Sequence, residues 1–212
     1  MSESDQVVFV VDDDDAVRGS LRMLLNSVGL KSVLFPSAAA FLAEVTGRQG
    51  GCVLLDIRMP GMSGLELFEQ MCAKGMRLPV IFITGHGDVP MAVRAIKKGA
   101  FDFLQKPFND QDLLDRVQAA LREDTARRNS DVERQMLRIR RERLTPRERE
   151  IMERVVAGQA NKVIAIDLGL SERTVELHRA HVMEKMEVRS LAELVAMNLR
   201  LEEDGETAGT ES

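Results

Sequence analysis

Across residues 1–122, short apolar runs alternate with amphipathic helical patterns, and this alternation constrains the fold more than any other feature of the 212-residue chain. Val7 to Val11 is continuously apolar, as a strand buried on both faces must be. Asp14 to Val28 then sets Val17, Leu21, Leu24, Leu25 and Val28 on one helical face. Further strands are predicted at Ser32–Phe35, Cys52–Leu55, Val80–Ile83 and Phe101–Leu104. Between them, Ser63 and Glu66 form a capping box ahead of Leu67, Phe68 and Met71. Asp88 is placed to cap a helix with Pro90 in its first turn, and Gly99 to close it. Asn109 opens the last helix, with Leu113, Leu114, Val117 and Leu121 turned inward. Five strands alternating with five helices predict an α/β unit, a doubly wound five-stranded parallel sheet over 1–122.

The pattern changes at Glu123. From 123 to 143, arginines and acids crowd around the helically spaced Val132, Met136 and Ile139. Two readings stay open for this charged linker: a helical connector that pairs with a second copy, or a solvated segment. Residues 144–201 carry no strand pattern. Thr145-Pro146-Arg147-Glu148 is a capping box with proline at the first helical position, leading into Ile151, Met152, Val155 and Val156. Gly158 ends that helix, and Asn161–Leu168 is a short second one, broken by Gly169. Ser171 caps a longer third helix running to Met186; Ser190 and Glu193 open a fourth. A short helix, a glycine turn and a longer helix make a helix-turn-helix within an all-α, four-helix domain. Residues 202–212 are acidic and small, and are expected to be disordered.

Composition narrows the class. Two cysteines, Cys52 and Cys72, fit a reduced cytoplasmic chain better than a disulfide scaffold. The N-terminal MSESDQ has no basic-then-apolar signal pattern, and no apolar stretch is long enough to span a membrane. The net charge of −5 and the absence of Trp and Tyr argue, at first sight, against nucleic acid.

In doubly wound sheets, ligands bind beyond the carboxyl ends of the strands. The first strand runs into Asp12-Asp13-Asp14-Asp15, the third into Asp56 and Arg58-Met59-Pro60-Gly61, the fourth into Thr84-Gly85-His86-Gly87, and the fifth into Lys106-Pro107. Clustered carboxylates repel one another unless a cation compensates, and Mg2+ suits a site of few carboxylates with positions left for phosphate oxygens. A carboxylate, Mg2+, a hydroxyl and a lysine together serve phosphoryl transfer. Capping of the first helix accounts for Asp14 or Asp15, but not for Asp56, Thr84 and Lys106 at separate strand ends. His86 is read as a loop-packing residue, without assigned chemistry.

The stretches VVDDDD, LLDIRMPGMSGLE, ITGHGDVPMAV and GAFDFLQKPF, in this order, resemble the receiver domain of two-component response regulators, a flavodoxin-like fold; the third is most similar to the FixJ branch. The resemblance implies that Asp56 accepts a phosphoryl group from a sensor histidine kinase. It implies Mg2+ held by Asp13, Asp56 and the backbone carbonyl of Arg58, with Asp12 helping directly or through water. Thr84 and Lys106 would hold the phosphoryl oxygens, Phe103 would be the switch aromatic, and Lys106-Pro107 a cis peptide.

The stretches TPRERE, ANKVIAIDLGLS and RTVELHRAHVMEKM resemble the LuxR/FixJ-type helix-turn-helix of the FixJ/NarL family. Its second helix enters the major groove by its N-terminal part, which sets Thr174, Glu176, Leu177, Arg179 and Ala180 near base edges, Arg179 facing a guanine. Lys162, Arg173, His178 and Lys185 are assigned to phosphates. Val175 and Val182 are read as core. His178 and His181, three apart on one helix, could mimic a metal pair, but the sequence shows no third ligand.

The resemblance implies a transcription regulator whose phosphorylation promotes a homodimer reading two half-sites of double-stranded DNA, with RNA polymerase an open further partner. Alternatives are the same fold binding DNA independently of phosphorylation, a ligand-sensing regulator with an apolar pocket, or a phosphohydrolase using the same aspartate; the last would want an acid where Arg58 stands. Resolved by region, the charge no longer speaks against DNA. Residues 1–122 hold 13 basic and 15 acidic side chains, residues 127–200 hold 16 and 12, and the tail from Leu201 adds five acids. A basic module lies between acidic flanks, and a major-groove helix needs no stacking platform.

Overall fold

The computed structural model describes residues 6–85 and 89–207. Two compact units divide the chain, the first ending at Arg128 and the second beginning at Asn129.

The first unit is a sheet of five parallel strands, β1 (Val7–Val11), β2 (Lys31–Phe35), β3 (Gly51–Asp56), β4 (Val80–Thr84) and β5 (Asp102–Gln105), in the order β2-β1-β3-β4-β5. Successive residues of a strand face opposite sides, and both sides are covered. Phe9, Val11, Val53 and Phe82 join a core with Phe41, Leu67, Phe68 and Met71. Val8, Val10, Leu54 and Ile81 join another with Leu21, Leu25, Leu113, Leu114 and Val117. This two-sided burial explains why the strands read as unbroken apolar runs rather than as alternation.

The helices of this unit are α1 (Asp15–Ser27), α2 (Ala38–Glu44), α3 (Gly64–Ala73), α4 (Val89–Lys97) and the start of α5 (Asp110–Glu142). Asp14 caps α1 by accepting from the backbone of Ala16 and Val17, which uses one of the four acids for structure. The Ser63–Glu66 capping box closes in both directions. Val28 departs from the expected apolar face: it is the C-cap, beyond the last helical residue, and is exposed. The Asp88 cap and His86 lie outside the described residues.

The expected boundary at 122 falls inside α5. Asp124 is fully buried, its Oδ2 accepting from the Gly51 backbone N–H at 2.9 Å and from Arg128 Nε at 2.7 Å. Arg128 also donates to the carbonyls of Gly47, Arg48 and Gln49, and Arg127 to that of Arg77. Residues 124–128, charged enough to read as linker, therefore tie the helix to the amino end of the sheet. Gly51 is required there, since a side chain would collide with the Val7 carbonyl.

The second unit contains the remainder of α5 with α6 (Pro146–Val156), α7 (Asn161–Leu168), α8 (Glu172–Lys185) and α9 (Leu191–Thr207). Ile151, Met152, Val155, Ile164, Val175 and Val182 form its core, so Val175 and Val182 are core as expected. The Thr145 capping box opens α6, Gly169 ends α7 at φ +64°, and Ser171 caps α8. Val132, Met136 and Ile139 are all exposed on α5. The segment 202–207, expected to be disordered, continues α9: Leu201, Glu202 and Glu203 favour helix and no proline interrupts them. Residues 208–212 lie outside the described residues. Among those described, no helix is long and apolar enough to cross a membrane.

Candidate functional site

The strand order reverses direction between β1 and β3, and the crevice for a ligand in such a sheet opens there, past the carboxyl ends. Asp12 follows β1 directly and Asp56 ends β3. Both are buried. Lys106 reaches over from the end of β5, its Nζ 3.2 Å from Asp12 Oδ2 and 3.1 Å from Asp56 Oδ1. Asp56 Oδ2 accepts from the Arg58 backbone N–H at 2.7 Å, and Asp12 Oδ1 from that of Asp14 at 2.9 Å. Arg18, buried in α1, donates to the Asp12 carbonyl and pairs with Asp15. Asp13, by contrast, is exposed.

Burial raises the Asp56 carboxyl above its ordinary range, opposed by the hydrogen bond and charge of Lys106. Burial alone would lower Lys106, but the hydrogen bond and charge of Asp56, with those of Asp12, outweigh it and hold the ammonium form. Thr84 ends β4 fully buried, and its Oγ1 has no hydrogen-bond partner among the described residues. A buried hydroxyl without a partner costs free energy unless something else occupies the site.

Two local devices shape the loop after Asp56. Gly64 begins α3 against the Asp56 carbonyl, where any side chain would collide, and its N–H reaches the Ile57 carbonyl at 3.0 Å. Beside Thr84, the Lys106 N–H donates to the Thr84 carbonyl at 2.7 Å, and the Lys106-Pro107 peptide is cis. Phe103 on β5 is half-buried against the core, in register with Phe82, two residues before Thr84 on β4. Arg18 and Gly64 carry no distinctive signal in the sequence alone: one is an arginine within a helix, the other a glycine eight residues past Asp56.

In the second unit, Arg173, Glu176, Leu177 and Ala180 form an exposed stripe on the amino-terminal part of α8, with Lys162 exposed on α7. Other expected contacts have partners inside the domain. Arg179 Nη1 donates to Asn161 Oδ1 at 2.7 Å, and Thr174 Oγ1 lies 2.8 Å from Ser171 Oγ in the cap. Lys185, expected at a phosphate, instead pairs with buried Glu148 at 2.5 Å. His178, expected there too, is half-buried with a ring nitrogen close to Glu148 and His181.

Two known families match the chain, one within each unit. The response regulator receiver domain matches residues 8–118, and the luxR family of bacterial regulatory proteins matches residues 142–198. The chain is a response regulator of the FixJ type. The transcriptional regulatory protein FixJ of Azorhizobium caulinodans is 50% identical over 192 residues, covering 91% of each chain. FixJ of Bradyrhizobium diazoefficiens is 46% identical over 193 residues, 91% of this chain and 94% of that one. Among solved structures, the response regulator StyR superposes with a TM-score of 0.85 at 45% identity, covering 92% of this chain and 99% of its own. Full-length FixJ from B. japonicum covers 92% of this chain and 97% of its own, at 45% identity and a TM-score of 0.59. A receiver domain and a luxR-type DNA-binding domain in one chain make this response regulator a transcription regulator.

Proposed function

We propose that this response regulator accepts a phosphoryl group on Asp56 and in that state binds DNA as a dimer. The buried Asp56 carboxylate, held by Lys106 beside the unpartnered Thr84 hydroxyl, carries the proposal. A carboxylate oxygen of Asp56 attacks phosphorus; the new P–O bond forms as the P–N bond to the kinase histidine breaks, and the imidazole keeps the electron pair. The arriving oxygens come within reach of Lys106, and Thr84 gains the partner it lacks. The donor set fits a hard divalent cation: Asp12 and Asp56 are carboxylates at two neighbouring strand ends, the exposed Asp13 follows Asp12, and the Arg58 carbonyl lies in the loop after Asp56. Mg2+ bound there would supply positive charge against the phosphoryl oxygens. Phe103, on the strand paired with that of Thr84, is the aromatic that would repack when Thr84 moves.

The exposed stripe of Arg173, Glu176, Leu177 and Ala180 is the face of α8 that would enter a major groove, with Lys162 on a phosphate. Arg179 would reach a guanine by exchanging its bond to Asn161. Lys185 drops out of the contact set because Glu148 already engages it, and His178 because its side chain is half-buried. Incubation with acetyl phosphate and Mg2+, followed by intact mass measurement, tests the acceptor. One phosphoryl group per wild-type chain and none on Asp56→Ala is expected; a labelled variant overturns the assignment.

A further inference from the structure

His178 and His181 sit one helical turn apart on α8, and the fold brings Glu148 of α6 against them. A ring nitrogen of each histidine and a carboxylate oxygen of Glu148 lie within 4.8 Å of one another. All three belong to the second unit, which has its own core.

The carboxylate is already oriented. Glu148 is buried, and its Oε2 accepts from Lys185 Nζ at 2.5 Å and from the Thr145 backbone N–H at 2.8 Å. Those bonds fix the group and leave Oε1 toward the histidines, 3.7 Å from His181 Nδ1. Outer-shell bonds of this kind are what orient a metal-ligating carboxylate. An ion pair between Glu148 and protonated His181 is the simpler account, but it leaves a second fact unexplained. His178 Nδ1 is buried and has no hydrogen-bond partner among the described residues. Two imidazoles and a carboxylate are the donors that borderline-soft divalent metals select.

We infer that Glu148, His178 and His181 form a site for a divalent transition-metal ion, with Zn2+ as the best-matched species. Zinc–nitrogen bonds of 2.0–2.1 Å place tetrahedral ligands about 3.4 Å apart, so separations of up to 4.8 Å must close by as much as about 1.4 Å. The exposed His181 side chain has the freedom to do so. Three protein ligands leave one position for water. The bound ion would fasten α8, the helix of the proposed DNA face, to α6. The Lys185 ammonium on the far oxygen opposes a second cation, so the site is weaker than a closed structural zinc centre.

The chain has three histidines, two of them in this cluster, which gives the site its own signal. Full-length protein, with Mg2+ in excess to occupy the acidic pocket of the first unit, is titrated with Zn2+ and followed by NMR of the imidazole ring protons. Two of the three sets of resonances should shift together and reach a plateau at one equivalent. In His181→Ala, which removes an exposed side chain and leaves the core intact, the affinity read from His178 should fall at least tenfold. Rings that do not move at several equivalents of Zn2+ overturn the site. So does a His181→Ala variant whose His178 responds as in the wild type.

Discussion

The two regions that carry this protein's chemistry are built in opposite ways. The pocket of the first unit gathers Asp12, Asp56, Thr84 and Lys106 from four strand ends, three of them buried. The proposed DNA face of the second unit is an exposed stripe on one helix, with most of its polar neighbours already paired inside the domain. A buried polar pocket is unforgiving: each group has one or two partners, and losing one strands the rest. An exposed helical face is graded, because each side chain adds a share of affinity that salt can screen.

Substitutions should follow that contrast. The largest effect belongs to Lys106→Met, which removes the ammonium that pairs with both the Asp12 and the Asp56 carboxylate. Removal of a charge-stabilising donor of this kind costs about 10^2–10^3 in rate, so phosphorylation by acetyl phosphate should slow by that order while folding persists. Next, Phe82→Ala empties a fully buried position in the first unit and should cost about 3–5 kcal/mol. Calorimetry should show the transition of that unit fall and that of the second unit stay. A joint shift of both would break the separation of the cores.

In the second unit, Glu148→Gln should cost about 1–3 kcal/mol by leaving buried polar groups under-satisfied. The pH dependence has a definite sign. Burial opposes the charged Glu148 carboxylate, but the Lys185 and Thr145 hydrogen bonds prevail and lower its pKa below the ordinary glutamate value. The resulting stability is present above the unfolded-state value and lost as pH falls through the lower folded one. Melting of the second unit across that acid range should therefore fall more steeply in the wild type than in Glu148→Gln. Smallest of all, Arg173→Ala should weaken DNA binding about evenly across sequences and reduce the salt slope by about 1.

The same contrast explains what could be read from the sequence. Every strand, the capping boxes at Ser63 and Thr145 and the pocket residues were legible, since parallel strands buried on both faces print as apolar runs and their ends mark the crevice. The cap by Asp14 and the core roles of Val175 and Val182 followed from helix geometry. Pairings across elements were not legible. Nothing local shows that Lys185 answers Glu148, 37 residues away, or that Asp124 is buried beneath Gly51 instead of opening a linker. The third partner of His178 and His181 was hidden for the same reason: Glu148 reads as a capping residue, and only the packing of α6 on α8 adds its second role.

The central claim is that chemistry at Asp56 controls the face on α8. It is tested most directly by measuring the affinity of the full-length protein for a genomic fragment it enriches, with and without acetyl phosphate and Mg2+, beside Asp56→Asn. Phosphorylation should tighten wild-type binding at least tenfold and leave Asp56→Asn unchanged. Equal affinity of the phosphorylated and unphosphorylated wild type would contradict the account.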